Sequence, residues 1–215
     1  MVIITSIAAL ATAWCAFQAT VWSGVESFRL ADTNDLRRRS VEARIEGSQV
    51  LALDAQQFIA WIEARARGEA QLTAFFFDRF RPELVRATRE WLEADPFESP
   101  GALPHPFALD SYRIADFRRA YQLELEARAA HAEARAANHH ADMYMLATVL
   151  LAAVLFVISS GPKETTHAVH RSFLSAALIG LLAVLAFVMV HPVRWSAEPA
   201  PPAPAPYERT GSLAD

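Results

Sequence analysis

Three histidines are the best candidates for chemistry in this sequence, because imidazole is a common ligand of transition metals and of haem. His139 and His140 are adjacent, and His191 follows a later apolar run. A pair of histidines on neighbouring helices could bind a haem or a metal ion. The alternative is that they are ordinary polar residues at a membrane boundary, and the pattern favours that interpretation. We therefore predict no metal site and no cofactor.

Signatures of catalysis do not stand out. The sequence has no glycine-rich phosphate loop, no Cys-x-x-Cys and no His-Glu-x-x-His. Its one cysteine, Cys15, cannot form an intrachain disulfide. Between the apolar runs the acidic residues alternate with arginines, as they do on solvated helix faces. We predict that the protein is not an enzyme and has no catalytic residues.

The histidines border apolar runs long enough to cross a membrane. Residues 143–160 and Ser172–Val190 carry no charged side chain, and each would span roughly 27–30 Å as a helix. A third run occupies residues 1–22, and we interpret it as a retained transmembrane helix rather than a cleaved signal. Hydrophobic residues make up 53% of the 215 residues, yet 20% are charged. These values fit membrane spans combined with a separate water-exposed segment.

The segment between the first and second spans, residues 23–142, is predicted to form two long helices and a cap. Residues 23–67 lack proline and carry an apolar seam with coiled-coil spacing. The seam consists of Val41, Ile45, Ser48, Ala52, Ala55, Ile59, Ile62 and Ala66. Residues 69–107 form an aromatic cap broken at Arg81-Pro82.

The second long helix is predicted over residues 110–142, with Asp110 as its N-cap. Its apolar stripe is Ile114, Phe117, Tyr121 and Leu125, followed by an alanine face over 127–141.

The predicted fold class is all-α, with three transmembrane helices and a long antiparallel coiled-coil-like insert between the first and second spans. Residues 161–171 are predicted as a short turn, 172–191 as the third span and 192–215 as a disordered Pro/Ala-rich tail. Trp22, Tyr144 and Trp195 are expected at one water–lipid boundary, which aromatic side chains favour.

The orientation follows from the short loop. Lys163 and Arg171 favour a cytoplasmic turn, whereas the arginines flanking the insert argue for the reverse. Because the charge rule is weak for long translocated segments, we expect residues 23–142 to be extracytoplasmic.

Three stretches resemble a group of uncharacterised bacterial multi-pass membrane proteins. They are the run from Ala11 to Gly24, the run from Glu90 to Pro96 with the loop to Phe107, and the run from Asp142 to Leu151. The resemblance implies one N-terminal span, a helical insert and a closing hairpin in the bacterial inner membrane. It implies no activity, because the group is a domain of unknown function. Members of the group usually carry charged residues before the first span, whereas this sequence starts at Met1-Val2.

These observations predict a non-enzymatic membrane scaffold or accessory subunit that presents a helical module outside the membrane. Its expected partners are the lipid bilayer and either further copies of itself or another membrane protein. The net charge of −4 gives no basic surface for nucleic acid. Two alternatives remain: an oligomeric channel or transporter subunit, with Gln18 as a polar group in the first span, and an extracytoplasmic sensor that binds a ligand in its aromatic cap.

Overall fold

The computed structural model describes residues 2–99, 101–160 and 167–197, which are entirely helical apart from their connections. Five α-helices follow one another: α1 (Val2–Ala66), α2 (Ala70–Phe77), α3 (Pro82–Glu93), α4 (Ala115–Ser160) and α5 (His167–Met189). A short 3₁₀ helix, Pro106–Ala108, lies between α3 and α4. The described ranges contain no strand, so the all-α prediction is confirmed for them.

Three helices of the described ranges, α1, α4 and α5, are long and apolar enough to cross a membrane. α5 begins at His167, within the segment predicted as a turn, and 161–166 of that segment lies outside the described residues. The chain forms two compact units, one comprising 1–32 with 129–215 and the other comprising 33–128.

In the unit 33–128, the contact between α1 and α4 is built from small and polar residues. The Ser40 hydroxyl donates a hydrogen bond of 2.8 Å to the Ala120 carbonyl. Ala43 packs with Ala120 and Leu123. A Cβ at Gly47 would lie 2.9 Å from the ring of Phe117. The helices approach closely here because these α1 side chains are small.

The packed face of α1 therefore differs from the predicted seam. Buried positions recur every seven residues at Thr33, Ser40, Gly47, Asp54 and Trp61. In contrast Val41, Ile45 and Ile59 are 56%, 52% and 54% exposed. The spacing of hydrophobic residues predicts the more apolar stripe of α1. The hairpin instead uses the α1 face whose small side chains let α4 approach more closely.

The start of α4 also differs from prediction. Asp110 is not an N-cap, since α4 begins at Ala115 and the Asp110 carbonyl accepts a hydrogen bond of 2.8 Å from Arg113. Ile114 is buried as expected, whereas Tyr121 and Leu125 are exposed. The predicted alanine face is better matched, since Ala127, Ala134, Ala137 and Ala141 are buried.

The other unit, 1–32 with 129–215, has an apolar core made by α1, α4 and α5. Cys15, Tyr144, Leu151 and Leu181 belong to it. Gly180 of α5 lies so close to α4 that an added Cβ would be 3.1 Å from a methyl group of Val154. Small residues thus bring these apolar helices together, as expected for membrane helices.

Candidate functional site

The segment that follows α5 is held by a buried glutamine of α1. Gln18 is fully buried, and its Nε2 donates a hydrogen bond of 2.8 Å to the carbonyl of Arg194. The Arg194 backbone N–H donates back to Gln18 Oε1 at 3.0 Å. Both halves of the amide are therefore paired with one residue, which removes the cost of burying it in an apolar core.

Two aromatic side chains hold the same segment through a single carbonyl. The Trp22 indole N–H and the Tyr144 hydroxyl both donate to the carbonyl of Pro192, at 3.1 and 3.2 Å. The guanidinium of Arg194 lies 5.1 Å from the centre of the Trp22 ring. The tail predicted over 192–215 therefore begins with a segment that packs against the helices, residues 192–197. Residues 198–215 lie outside the described residues.

Gly24 of α1 leaves room for the segment that follows α5. A Cβ at Gly24 would lie 2.6 Å from the Cβ of Ala197, a separation that the backbone would have to relieve. Trp22 and Tyr144 lie close together, since both donate to the Pro192 carbonyl. Trp195 packs edge-on against Trp14, with ring centres 5.2 Å apart. The expected place of all three at one water–lipid boundary stays a prediction.

The three candidate histidines lie beside this cluster. The ring centres of His139 and His140 are 6.0 Å apart, and those of His140 and His191 are 6.3 Å apart. His191 Nδ1 lies 2.9 Å from the carbonyl of Phe187, which can only accept a hydrogen bond. His140 packs against Trp22 at 4.6 Å, and its Nδ1 is buried with no hydrogen-bond partner in the described structure.

The structure thus brings His140 and His191 close together. Within the described ranges, no group of three or more His, Cys, Asp or Glu side chains could hold a metal ion. A structural metal site needs about four protein ligands. His140 packs against Trp22, and His191 packs against Tyr144 and Phe187.

The unit 33–128 contains a buried carboxylate that the sequence analysis did not single out. Asp54 of α1 is 1% exposed, and its Oδ2 accepts hydrogen bonds from Arg81 Nη1 at 3.1 Å and from the Tyr112 hydroxyl at 2.9 Å. Arg81 also lies 3.3 Å from Glu83. Burial and the Asp54 carboxylate raise the pKa of Tyr112 well above its usual value. This network joins α1, the start of α3 and the segment before α4.

Asp54 was missed because an acidic residue in an arginine-rich helix is typical of a solvated face. The available signal was its place in the seven-residue repeat of polar and small residues that includes Ser40 and Gly47.

The aromatic cap is a packed core. Trp91 and Phe107 both meet Phe58 edge-on, at 5.4 and 5.5 Å between ring centres. The Trp91 indole N–H donates a hydrogen bond of 2.6 Å to the carbonyl of Leu103. A shallow groove of about 700 Å³ lies beside this core, lined by Trp61, Arg65, Thr73, Phe77 and Asp78 among others. The aromatic rings pack against one another, and this groove is an open surface beside them.

Comparisons with family models, with curated proteins and with solved structures find no match to this chain. The resemblance to uncharacterised bacterial membrane proteins therefore stays a prediction.

Proposed function

We propose that the protein is a non-enzymatic integral membrane scaffold or accessory subunit whose unit 33–128 docks other proteins. The observation that carries this proposal is the outer stripe, by which we mean the eight α1 residues named above from Val41 to Ala66. Val41, Ile45 and Ile59 are more than half exposed although they follow coiled-coil spacing, whereas Ile62 is partly buried against the aromatic core of the cap. An aliphatic seam that the chain leaves open is typical of an interaction surface.

The energy available on this surface is substantial. Burying an exposed Val or Ile side chain fully yields about 1.5–3 kcal/mol. Val41, Ile45 and Ile59 are each more than half exposed, so a partner helix would gain from all three. Binding energy of this kind is concentrated in a few residues at the centre of an interface.

Membrane residence is the second part of the proposal. The three apolar helices would anchor the protein in the lipid bilayer of the bacterial inner membrane, as a multi-pass protein. We infer that residues 23–142 are extracytoplasmic, because Lys163 and Arg171 favour a cytoplasmic location for the short loop between the second and third spans. Cysteines introduced at Ser99 and Thr165 should then react with an impermeant maleimide from opposite sides, and reaction from one side would refute three spans.

Photo-crosslinking in native membranes tests the docking function. A benzophenone amino acid at Ile45 or Ile59 should give crosslinked protein adducts in high yield. The matched control is Glu46, which is adjacent to Ile45 and exposed but points away from the outer stripe. Equal yields at Ile45 and Glu46 would mean that the stripe is not a docking surface.

The groove lined by Trp61, Arg65 and Asp78 favours one second candidate, an extracytoplasmic sensor. Its mixed aromatic and charged lining suits a small amphipathic ligand. A ligand screen that follows protection of α2 from hydrogen exchange would detect it. The channel alternative loses its main support, because the Gln18 amide is paired with Arg194 and so is not available to line a pore.

A further inference from the structure

We infer that the occupant of the outer stripe is the α1 helix of a second copy of this chain, running parallel and in register. This inference rests on the proposed docking function and names its partner. It is carried by the heptad phase of the stripe, by the charges that flank it and by the shared orientation of two copies in one membrane.

The outer stripe is a complete coiled-coil repeat on the side of α1 opposite to α4. Its a positions are Ile45, Ala52, Ile59 and Ala66, and its d positions are Val41, Ser48, Ala55 and Ile62. The residues that α1 buries in the hairpin, such as Ser40, Gly47 and Asp54, occupy the opposite side of the same helix. Phe58 and Ile62 pack in the aromatic core, so a second helix can pack on the stripe from Val41 to Ile59 while the hairpin stays intact. Small residues in the middle of the stripe permit close approach.

One pair of flanking charges favours the parallel arrangement. In a parallel pair, each g residue faces the e residue five positions further along its partner. Arg37 and Glu42 stand in that relation, with opposite charges. The carboxylate of Glu42 already attracts Arg38 of its own chain at 2.7 Å through Oε1. The second oxygen of that carboxylate can accept a further donor.

An antiparallel pair would bring like charges together. Full overlap of two antiparallel stripes pairs Ile45 with Ile62 of the other copy. The same overlap places Arg44 beside Arg65 and Glu42 beside Glu63. Both contacts are repulsive, and charges at e and g positions determine the orientation of coiled coils.

Membrane topology leads to the same arrangement. All copies of one protein insert with the same orientation, so equivalent residues of two copies lie on the same side of the membrane. Residues at equal positions then lie at equal heights, which matches an in-register parallel seam. The open part of the seam, 41–59, would be about 29 Å long, from the rise of a helix. That length corresponds to nearly three heptads.

Disulfide crosslinking of the full-length protein in native membranes tests this partner. In a Cys15→Ala background, we expect Ile45→Cys and Ile59→Cys each to form a disulfide-linked dimer on mild oxidation. Their yield should exceed that of Glu46→Cys by at least about tenfold, since a disulfide needs Cα atoms within about 7 Å. All three positions are exposed, so the substitutions leave the monomer core unchanged.

Three results would overturn the inference. Equal yields at the three positions would indicate random collision. Crosslinking between differently tagged Ile45→Cys and Ile62→Cys chains, without self-crosslinking at either position, would indicate antiparallel pairing. High-yield photo-adducts at Ile45 that contain another protein, with no disulfide dimer, would refute self-pairing while leaving the proposed docking function standing.

Discussion

Replacing Asp54 with alanine should destabilise the unit 33–128 more than any surface substitution on α1. The carboxylate is 1% exposed and holds both the Arg81 guanidinium and the Tyr112 hydroxyl. Its removal leaves two donors without their acceptor and opens a small space between α1 and the cap. The effect is therefore expected on α3, whose first turn follows Arg81.

The size of the effect follows from the exposure of the partners. Removing one member of a buried ion pair costs about 3–5 kcal/mol, because the remaining charge is left without compensation. The Arg81 side chain is 39% exposed and also lies 3.3 Å from Glu83, so its charge is still solvated and paired. This places the expected loss near the lower end, at about 3 kcal/mol. Asn at the same position retains one acceptor and should cost roughly half as much.

Hydrogen exchange of the full-length protein in detergent, followed by mass spectrometry, measures the loss within one unit. A loss of about 3 kcal/mol corresponds to roughly hundredfold faster exchange of protected amides in α3. Asp35→Ala is the matched control, since Asp35 forms an exposed ion pair with Arg38 on the same helix. Such surface pairs contribute little, so exchange in the control should change only a few-fold.

The reasoning fails if Asp54→Ala and Asp35→Ala have the same effect on α3. That result would mean that the cost of desolvating the Asp54 carboxylate cancels what its two hydrogen bonds contribute. An Asn variant as damaging as Ala would show instead that the negative charge, and not the acceptor atoms, is required.

Three further predictions concern separate contacts. The pKa of Tyr112 is raised in the folded state, so its contribution to stability is complete below pH 10 and is lost at higher pH; a Tyr112→Phe variant should show a shallower fall in urea midpoint above pH 10. Gly47→Val should cost about 2 kcal/mol through overpacking against the aromatic ring beside it, whereas Gly101→Ala, which meets open space, should leave the thermal midpoint unchanged. Gln18→Leu should release the segment after α5, so that a cysteine placed at Ala197 reacts faster with maleimide than it does beside native Gln18; an unchanged rate would contradict the role assigned to the amide.

The sequence by itself determined the elements that depend on local composition. Charge-free runs of about twenty residues identify the apolar helices. A helix pairs its own backbone N–H and C=O groups, which the lipid interior cannot do, so such a run is expected to be helical. The break before Pro82 was also predictable, since proline excludes helical geometry in the preceding residue: Arg81 is extended and α3 begins at Pro82. The alanines of 127–141 likewise predicted a face that a neighbouring helix can approach closely.

Tertiary structure alone decided which face of α1 meets α4. The apolar stripe from Val41 to Ala66 has the stronger hydrophobic pattern, yet the hairpin uses Ser40, Ala43 and Gly47. A pattern of side-chain hydrophobicity cannot rank two faces when the better contact comes from close backbone approach. The hydrogen-bond partners of Asp54 and of Gln18 likewise could not be read from sequence, because each partner lies far away along the chain. Long-range hydrogen bonds satisfy these buried polar side chains, and only the folded chain brings the partners within reach.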